Sequence, residues 1–549
     1  MMADSVLSRL KSITSDSEKV QTELLLSLVR RNADTEYGRK HDFSGIDSLE
    51  DYRRRVPLTS WKDYDGAVSR MIAGEDNILT TEKIVYYCIS SGLADEPKFI
   101  PLTSADIRTQ KRYAIDCVNE TLDEYFKGQG AGIAEKHIFY IGEFFRTFMA
   151  NGTMSGVRMG APYRRLEAKG EIDISQFTAP KEVLFPDELD DLLYMKLRFA
   201  LADRSVTAIH GIFVNKIVGL FDHLLKNREH YIADIASGKV SEHFEISEGW
   251  RDYIEKKLPG DPARANELKN ILSGDERGIA RKIWPGLQYV CVSGGGIFAR
   301  YMDRLQRYIG SDTPVHYFVY STAESNLAVS LEMNKPDRYT LIPDAAFFEF
   351  LPVDADRKTC PLASWEVKKG EEYELFVTTL SGLYRYSVQD IVRVEDFYGT
   401  MPVISVSYRT NQIMNLADER ITTRQMGEAC SRLGQRMGTR LTEYCMDADR
   451  DGEIPQYIVY IETEMGRSNN DAKCSEVLDE ILKEHVSAYR KAREQCRLKE
   501  ARVISLRRGV FRSFGAYLSK NGYRMEQNRP LKIISTDDQK DFFRKKSSE

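Results

Sequence analysis

The sequence predicts an α/β protein in two domains, a large one over residues 1–405 and a small α+β one over 406–549. Three observations carry that reading. A chain of 549 residues is longer than one hydrophobic core usually serves. Short apolar runs of strand length alternate with segments of helical period, as in Ile84–Ile89 followed by a polar loop and a helix-period stretch. The stretch Glu372 to Val394, EYELFVTTLSGLYRYSVQDIVRV, reads as a hairpin that separates a long series of elements from a short one.

Composition narrows the function classes. Hydrophobic content of 42% with 29% charged residues is that of a soluble globular chain. A formal net charge of -5 gives no electrostatic pull toward nucleic acid or an anionic membrane, and neither is expected as a partner. The eight cysteines are scattered without a C-x-x-C pair, which reads as reduced thiols in a cytoplasmic protein. The opening residues interrupt their apolar positions with charges every few residues. No later run approaches the ~18 apolar residues of a membrane span, so neither a leader nor an anchor is expected.

In chain order, Val6, Leu7 and Leu10, then Val20, Leu24, Leu25, Leu28 and Val29, recur at helical spacing. Ser15 and Ser17 stand between these two helices as caps. Residues 35–80 mix turns with short polar helices. Ile84–Ile89 (IVYYCI) is a buried strand that delivers the chain into the polar loop Ser90-Ser91-Gly92-Leu93-Ala94-Asp95-Glu96-Pro97-Lys98-Phe99-Ile100-Pro101. Thr103 or Ser104 then caps a helix with Ile107, Ala114, Val118, Leu122 and Phe126 on one face. A strand, a polar loop and a helix start form a usual phosphate site, because loop amides and hydroxyls point at the anion. A plain connecting turn is the alternative.

Further on, HIFYIG and the 206–214 run VTAIHGIFV read as buried strands, with His210 as a satisfied core histidine. Phe144, Phe145, Met149 and Met154 read as core. Residues 227–282 are charged and helical. A strand over 287–292 ends in Ser293-Gly294-Gly295-Gly296, where glycines let a flat ligand approach the backbone. Then come Tyr317 to Ser325 (YFVYSTAES) and the strand FFEFLP.

In the hairpin, Tyr373–Thr379 alternates as a strand, Ser381-Gly382 is a turn, and Ile391, Val392 and Val394 belong to the returning strand. Asp390 is a carboxylate among apolar neighbours and costs several kcal/mol unless hydrogen-bonded. A ribose diol, Arg385 or Arg393 is its expected partner. After Arg409 the pattern gives a helix over 423–433, strands over 442–446 and 457–463, a helix with Val477, Leu478, Ile481 and Leu482 inward, a strand over 503–506 and a helix over 511–520.

Taken together, Thr378-Thr379, Gly382-Leu383-Tyr384-Arg385-Tyr386, Asp390-Ile391, the FFEFLP strand, Arg55-Val56-Pro57-Leu58 and the loop from Arg409 to Arg420 resemble the auxin-responsive Gretchen Hagen family. These are acyl-acid amido synthetases within the adenylate-forming superfamily. The resemblance runs along almost the whole chain. It implies mixed β-sheets flanked by helices plus a small β-barrel-like subdomain, with a small mobile C-terminal domain. It implies ATP and Mg2+ as cofactors, with a small carboxylic acid and an amino acid or other amine as partners.

Carried over residue by residue, the resemblance assigns the triphosphate grip to Ser90, Ser91, Gly92 and Lys98, and adenine to Gly294, Gly295 and Tyr320. It assigns phosphate to the hydroxyl of Thr322 or Ser325, magnesium to Glu324, the ribose to Asp390 and the hinge to Arg409. In Gln527-Asn528-Arg529-Pro530-Leu531-Lys532, Arg529 stands in the slot of the lysine that covers the α-phosphate, with Lys532 as a substitute. Departures from the family pattern are Leu93, Ala94, Asp95, Ala323, Gln389, Asp418, Arg420 and Arg529. Asp95 and Glu96 set negative charge beside an anionic ligand, and a like-charge pair at 4 Å costs about 1 kcal/mol in water and about 4 at an effective dielectric of 20.

The expectation is an ATP-dependent ligase that adenylates a carboxylic acid and passes the acyl group to an amine. The alternatives are a paralogue that has lost adenylation and acts as a binding or regulatory protein, or an adenylate-forming ligase with a thiol acceptor.

Overall fold

A computed structural model describes the chain except residues 1–4, 91–97, 131, 133–136, 143, 187–191, 294–300, 354, 357, 411–412, 418, 451, 468–469, 521–530 and 549. The described residues fall into two compact units. The first takes the chain up to Ser90, then Lys98–Val388 and Val392–Val406; the second takes Gln389–Ile391 and the chain from Ser407.

The first unit opens with helices Val6–Thr14 and Ser17–Arg31, at the positions their apolar spacing predicts. Asp16 caps the second helix by accepting from Lys19 N. Neither serine takes that role, because Ser15 ends the first helix and buried Ser17 donates its hydroxyl to Thr400 O. Gln21, fully buried, donates to Pro343 O and Ala346 O and accepts from Phe348 N, which fixes the helix on strand Ala346–Pro352.

Strand Ile84–Ile89 forms as predicted, but the chain beyond the polar loop returns as a second strand, Phe99–Thr103, antiparallel to it. Strand, loop and helix were expected here; strand Phe99–Thr103 instead stands before the helix. Pro101 hid this strand in the sequence, and it is tolerated because Phe99–Thr103 lies at the edge of its four-stranded sheet. Thr103 then caps helix Ser104–Lys111 by accepting from Asp106 N, and the chain passes through a π-turn, Arg112–Cys117, into helix Val118–Gly128. All five residues of the predicted face, Ile107 through Phe126, are buried.

A second four-stranded sheet orders Ile138–Tyr140, Ala208–Phe213, Tyr289–Ser293 and Val315–His316, each neighbouring pair parallel. His210 shares a hydrogen bond with the Tyr289 hydroxyl at 3.2 Å, in keeping with a satisfied core residue. The expected barrel-like subdomain takes the form of an eight-stranded sheet. From one edge it runs Leu362–Ala363, Ala346–Pro352, Glu372–Thr379, Tyr386–Tyr398, Met401–Arg409, Tyr339–Leu341, Asn326–Val329 and Val319–Ser321.

One buried ion pair ties this sheet to the N-terminal segment. Arg385 donates through Nε and Nη2 to the two oxygens of Glu349, both at 2.9 Å, and through Nη1 to Arg53 O and Val56 O. Both side chains are almost inaccessible to water. The turn before it is equally constrained: Gly382 has φ +98°, and a Cβ there would sit 2.8 Å from Leu79 O.

In the second unit a three-stranded sheet pairs Leu441–Asp449 antiparallel with Gln456–Thr463, and the latter parallel with Arg502–Leu506. Its strands are apolar on both faces. Tyr444, Met446, Tyr457, Val459 and Ile461 pack under helices Thr423–Arg436 and Asp471–His485. Cys445, Ile458, Tyr460 and Leu506 pack with Phe514 and Phe543, from helices Val510–Lys520 and Asp537–Ser548, on the other face. No disulfide joins any of the eight cysteines, and no helix among the described residues is long and apolar enough to cross a membrane.

Removing one partner of a buried ion pair strands the other charge. Glu349→Ala is therefore expected to cost about 3–5 kcal/mol, read as a lower midpoint in chemical unfolding. The double variant Glu349→Leu with Arg385→Met is expected to lose much less.

Candidate active site

The residues singled out in the sequence gather in three places, and a fourth lies in the second unit's core. At the first place, Ser90 and Lys98 close the base of the hairpin loop. Ser90 N donates to Lys98 O at 2.9 Å, and Lys98 N donates to Ser90 Oγ at 3.1 Å. Ser91 and Gly92, with Leu93, Ala94 and Asp95, lie outside the described residues, as do Gly294, Gly295 and Arg529.

The second place is the turn between strands Val319–Ser321 and Asn326–Val329. Thr322 N donates to Ser325 O at 3.0 Å, Ser325 N donates to Thr322 Oγ1 at 3.4 Å, and Ser325 Oγ donates to Ala345 O at 3.4 Å. Of the two hydroxyls considered for phosphate contact, Thr322 Oγ1 thus closes the turn, and Ser325 Oγ ties it to Ala345. Glu324 is 8% exposed and leads into a strand. Tyr320, equally buried, has its ring 6.2 Å from that of Tyr339.

Upstream of that turn, Phe318 adopts φ +54°, a left-handed conformation that costs a bulky residue about 1–2 kcal/mol. Its N–H donates to His316 Nδ1 at 3.1 Å, while His316 Nε2 donates to Ser330 O at 3.1 Å, an assignment that requires a neutral imidazole. Burial pushes His316 down to about 4. The histidine therefore anchors the kink that leads the chain into Tyr320.

At the third place, within strand Tyr386–Tyr398, Asp390 is 2% exposed and accepts from Arg409 Nε at 2.7 Å. Arg385 and Arg393 were its expected protein partners. The first is spent on Glu349, and the second is exposed. Gln389 stands where the resembled family has glycine, and its φ is +62°. A left-handed residue inside an extended strand bends it and re-aims the next side chain, which explains why glycine suits this position.

Lys532 is buried in the second unit. Its ammonium lies 3.1 Å from Glu443 Oε2, 3.2 Å from Tyr444 O and 4.2 Å from the Tyr444 ring centre, and its carbonyl accepts from Met446 N. Every contact of this ammonium named here is within that unit's own core.

Sequence reasoning missed Arg158 and Asp106, a buried ion pair that reaches the turn carrying Glu324 through Ala323 O. The available signal was an arginine in the otherwise small and apolar run Ser155 to Gly160.

This chain belongs to the GH3 family. It matches the GH3 family N-terminal domain over residues 6–315, the central domain over 339–409 and the C-terminal domain over 422–538. Among similar proteins, the indole-3-acetic acid-amido synthetase GH3.2 of Arabidopsis thaliana is 26% identical, with 88% of this chain and 92% of that one covered. The 4-substituted benzoates-glutamate ligase GH3.12 of the same plant is 24% identical over 96% of this chain and 95% of its own. The solved structure of the AtGH3.15 acyl acid amido synthetase in complex with 2,4-DB shares the fold. Its TM-score is 0.85 at 21% identity, over 98% of this chain and 95% of that one.

Two outcomes follow from the backbone and the buried imidazole. Gln389→Gly is expected to be tolerated, whereas Gln389→Val, β-branched at positive φ, is expected to be less stable than the glycine variant by about 1–3 kcal/mol in chemical unfolding. For His316, the folded chain holds its proton more weakly than an unfolded histidine at 6.5, so the unfolded state takes up the proton first. The histidine's contribution is complete above about pH 6.5 and is lost as pH falls toward about 4, by up to about 1.4 kcal/mol per pH unit. Unfolding measured between those limits is expected to show a shallower pH dependence in His316→Asn than in the parent.

Proposed function

We propose that this chain is an ATP-dependent acyl-acid amido synthetase. In the first step a carboxylate oxygen of the acid attacks the α-phosphorus of ATP, the bond to the β-phosphate oxygen breaks, and pyrophosphate leaves. In the second, the amine of an amino acid attacks the acyl carbon, AMP leaves with the former carboxylate oxygen, the amide forms and a proton is released. Both steps call for positioning and electrostatic stabilisation more than for a nucleophilic side chain. The observation that carries the reading is the order of the matches. All three domains of a family with members named as joining acids to amino acids follow one another along this chain.

Residue roles are part of the proposal. Asp390 accepts hydrogen bonds from the ribose diol, and Arg409 orients it. Ser90, Ser91, Gly92 and Lys98 grip the triphosphate, and Lys98 neutralises phosphate charge. Tyr320, Gly294 and Gly295 receive the adenine, while Thr322 stabilises the turn beside it. The Glu324 carboxylate suits Mg2+, an ion that keeps most of its waters and needs few protein ligands. Arg529 supplies the positive charge at the α-phosphate. With its ammonium held by Glu443 and Tyr444, Lys532 serves that step by anchoring the segment that follows Arg529. The domain division at 405/406 and a cytoplasmic setting, in keeping with eight cysteines that form no disulfide, complete the picture.

The test is ATP–pyrophosphate exchange with indole-3-acetate and 4-substituted benzoates at the head of a panel of acids. Exchange with at least one acid, abolished by Asp390→Ala, is the expected result. No exchange with any acid, together with no heat-stabilisation by ATP and magnesium, would favour a binding protein. A thiol acceptor would be favoured if exchange occurs but added thiol, and no amino acid, consumes the adenylate.

A further inference from the structure

A buried ion pair with no assigned role converges on the turn that carries Glu324. Arg158 follows strand Met154–Gly156 and is 6% exposed; Asp106, in the first turn of helix Ser104–Lys111, is 2% exposed. Arg158 Nη2 donates to Asp106 Oδ1, and Nη1 donates to Ala323 O at 3.1 Å. The other Asp106 oxygen accepts from Ser381 Oγ at 3.4 Å, and Ser381 Oγ accepts from Thr103 N at 3.0 Å. Gln110 Nε2 donates to Arg158 O at 3.0 Å and fixes the arginine's own backbone. Four separate segments thus meet in one chain of hydrogen bonds that ends on the carbonyl next to Glu324.

The pair is poorly arranged for stability alone. Arg158 Nε finds no acceptor among the described residues, and burial works to raise the Asp106 carboxyl against the lowering effect of the arginine. Replacing such a pair by apolar side chains is often neutral or stabilising, so its presence calls for a different benefit. A guanidinium can bridge a carboxylate and a carbonyl at fixed angles, which an ammonium cannot do with the same geometry.

We infer that Arg158, held by Asp106, is a positioning residue that sets the turn over residues 322–325 and with it Glu324 and Tyr320 for the magnesium nucleotide. This inference rests on the proposed ligase reading. It also accounts for Ala323, since the contact uses the carbonyl and is indifferent to the side chain.

The experiment is calorimetric titration of Mg-ATP into the full chain, alongside thermal unfolding, for the parent, Arg158→Lys, and the double variant Asp106→Leu with Arg158→Met. The expected result is a double variant that unfolds at or near the parent's temperature but binds Mg-ATP about 10- to 100-fold more weakly, the usual loss when an orienting partner is removed. Arg158→Lys should fall between the two. Unchanged Mg-ATP affinity in either folded variant overturns the inference while leaving the ligase reading intact. Should the double variant fail to fold, Arg158→Lys alone decides. A parent that does not bind Mg-ATP overturns the ligase reading and the inference with it.

Discussion

Arg385 and Glu349 lock together in a two-pronged contact inside the first unit, and the remaining donor of the guanidinium reaches back to the carbonyls of Arg53 and Val56. The arginine occupies a left-handed backbone conformation, with its N–H on Thr378 Oγ1 and its carbonyl taken by Thr59 N. Strand Tyr386–Tyr398 leaves from that fixed point, and Asp390 lies five residues along it. Loss of this contact would leave a charge buried without a partner and free the start of the strand that carries the carboxylate. The two sequence motifs that carry the family resemblance most visibly, FFEFLP and GLYRY, are thus the two halves of one structural lock. They are legible because packing constrains them, and they say little by themselves about chemistry.

Local patterning was readable wherever burial follows a simple period. The N-terminal helices, Ile84–Ile89, the helix face from Ile107 to Phe126 and most elements of the second unit fall where spacing places them. The failures have physical causes. Phe99–Thr103 carries a proline that only an edge strand accepts, so the sequence read it as loop. The partner of Asp390 is 19 residues downstream, and that of Arg158 is 52 residues upstream. No periodicity reports such pairings. The burial of Glu324 depends on a strand pairing across the turn, which no local pattern reports.

Two departures from the family pattern lose much of their weight once the backbone is known. Gln389 replaces a glycine at positive φ, so the required conformation is retained at a modest energetic cost. Ala323 replaces a hydroxyl residue, yet its carbonyl is the atom that the neighbouring arginine grips. The turn is closed by the two hydrogen bonds between Thr322 and Ser325, Thr322 N to Ser325 O and Ser325 N to Thr322 Oγ1. At both positions the main chain supplies the geometry, and the side chain is secondary. That distinction separates substitutions that change packing or charge from those that alter only an accessory group.

The central claim is that one nucleotide is cleaved at its α-phosphate for each amide formed. It is tested most directly by quantifying products when the full chain is incubated with ATP, magnesium, an aromatic carboxylic acid and an amino acid. Phosphorus NMR and mass spectrometry should find AMP, pyrophosphate and the acyl-amino acid in equal amounts. ADP and inorganic phosphate as the nucleotide products, or an amide formed without AMP, would contradict it.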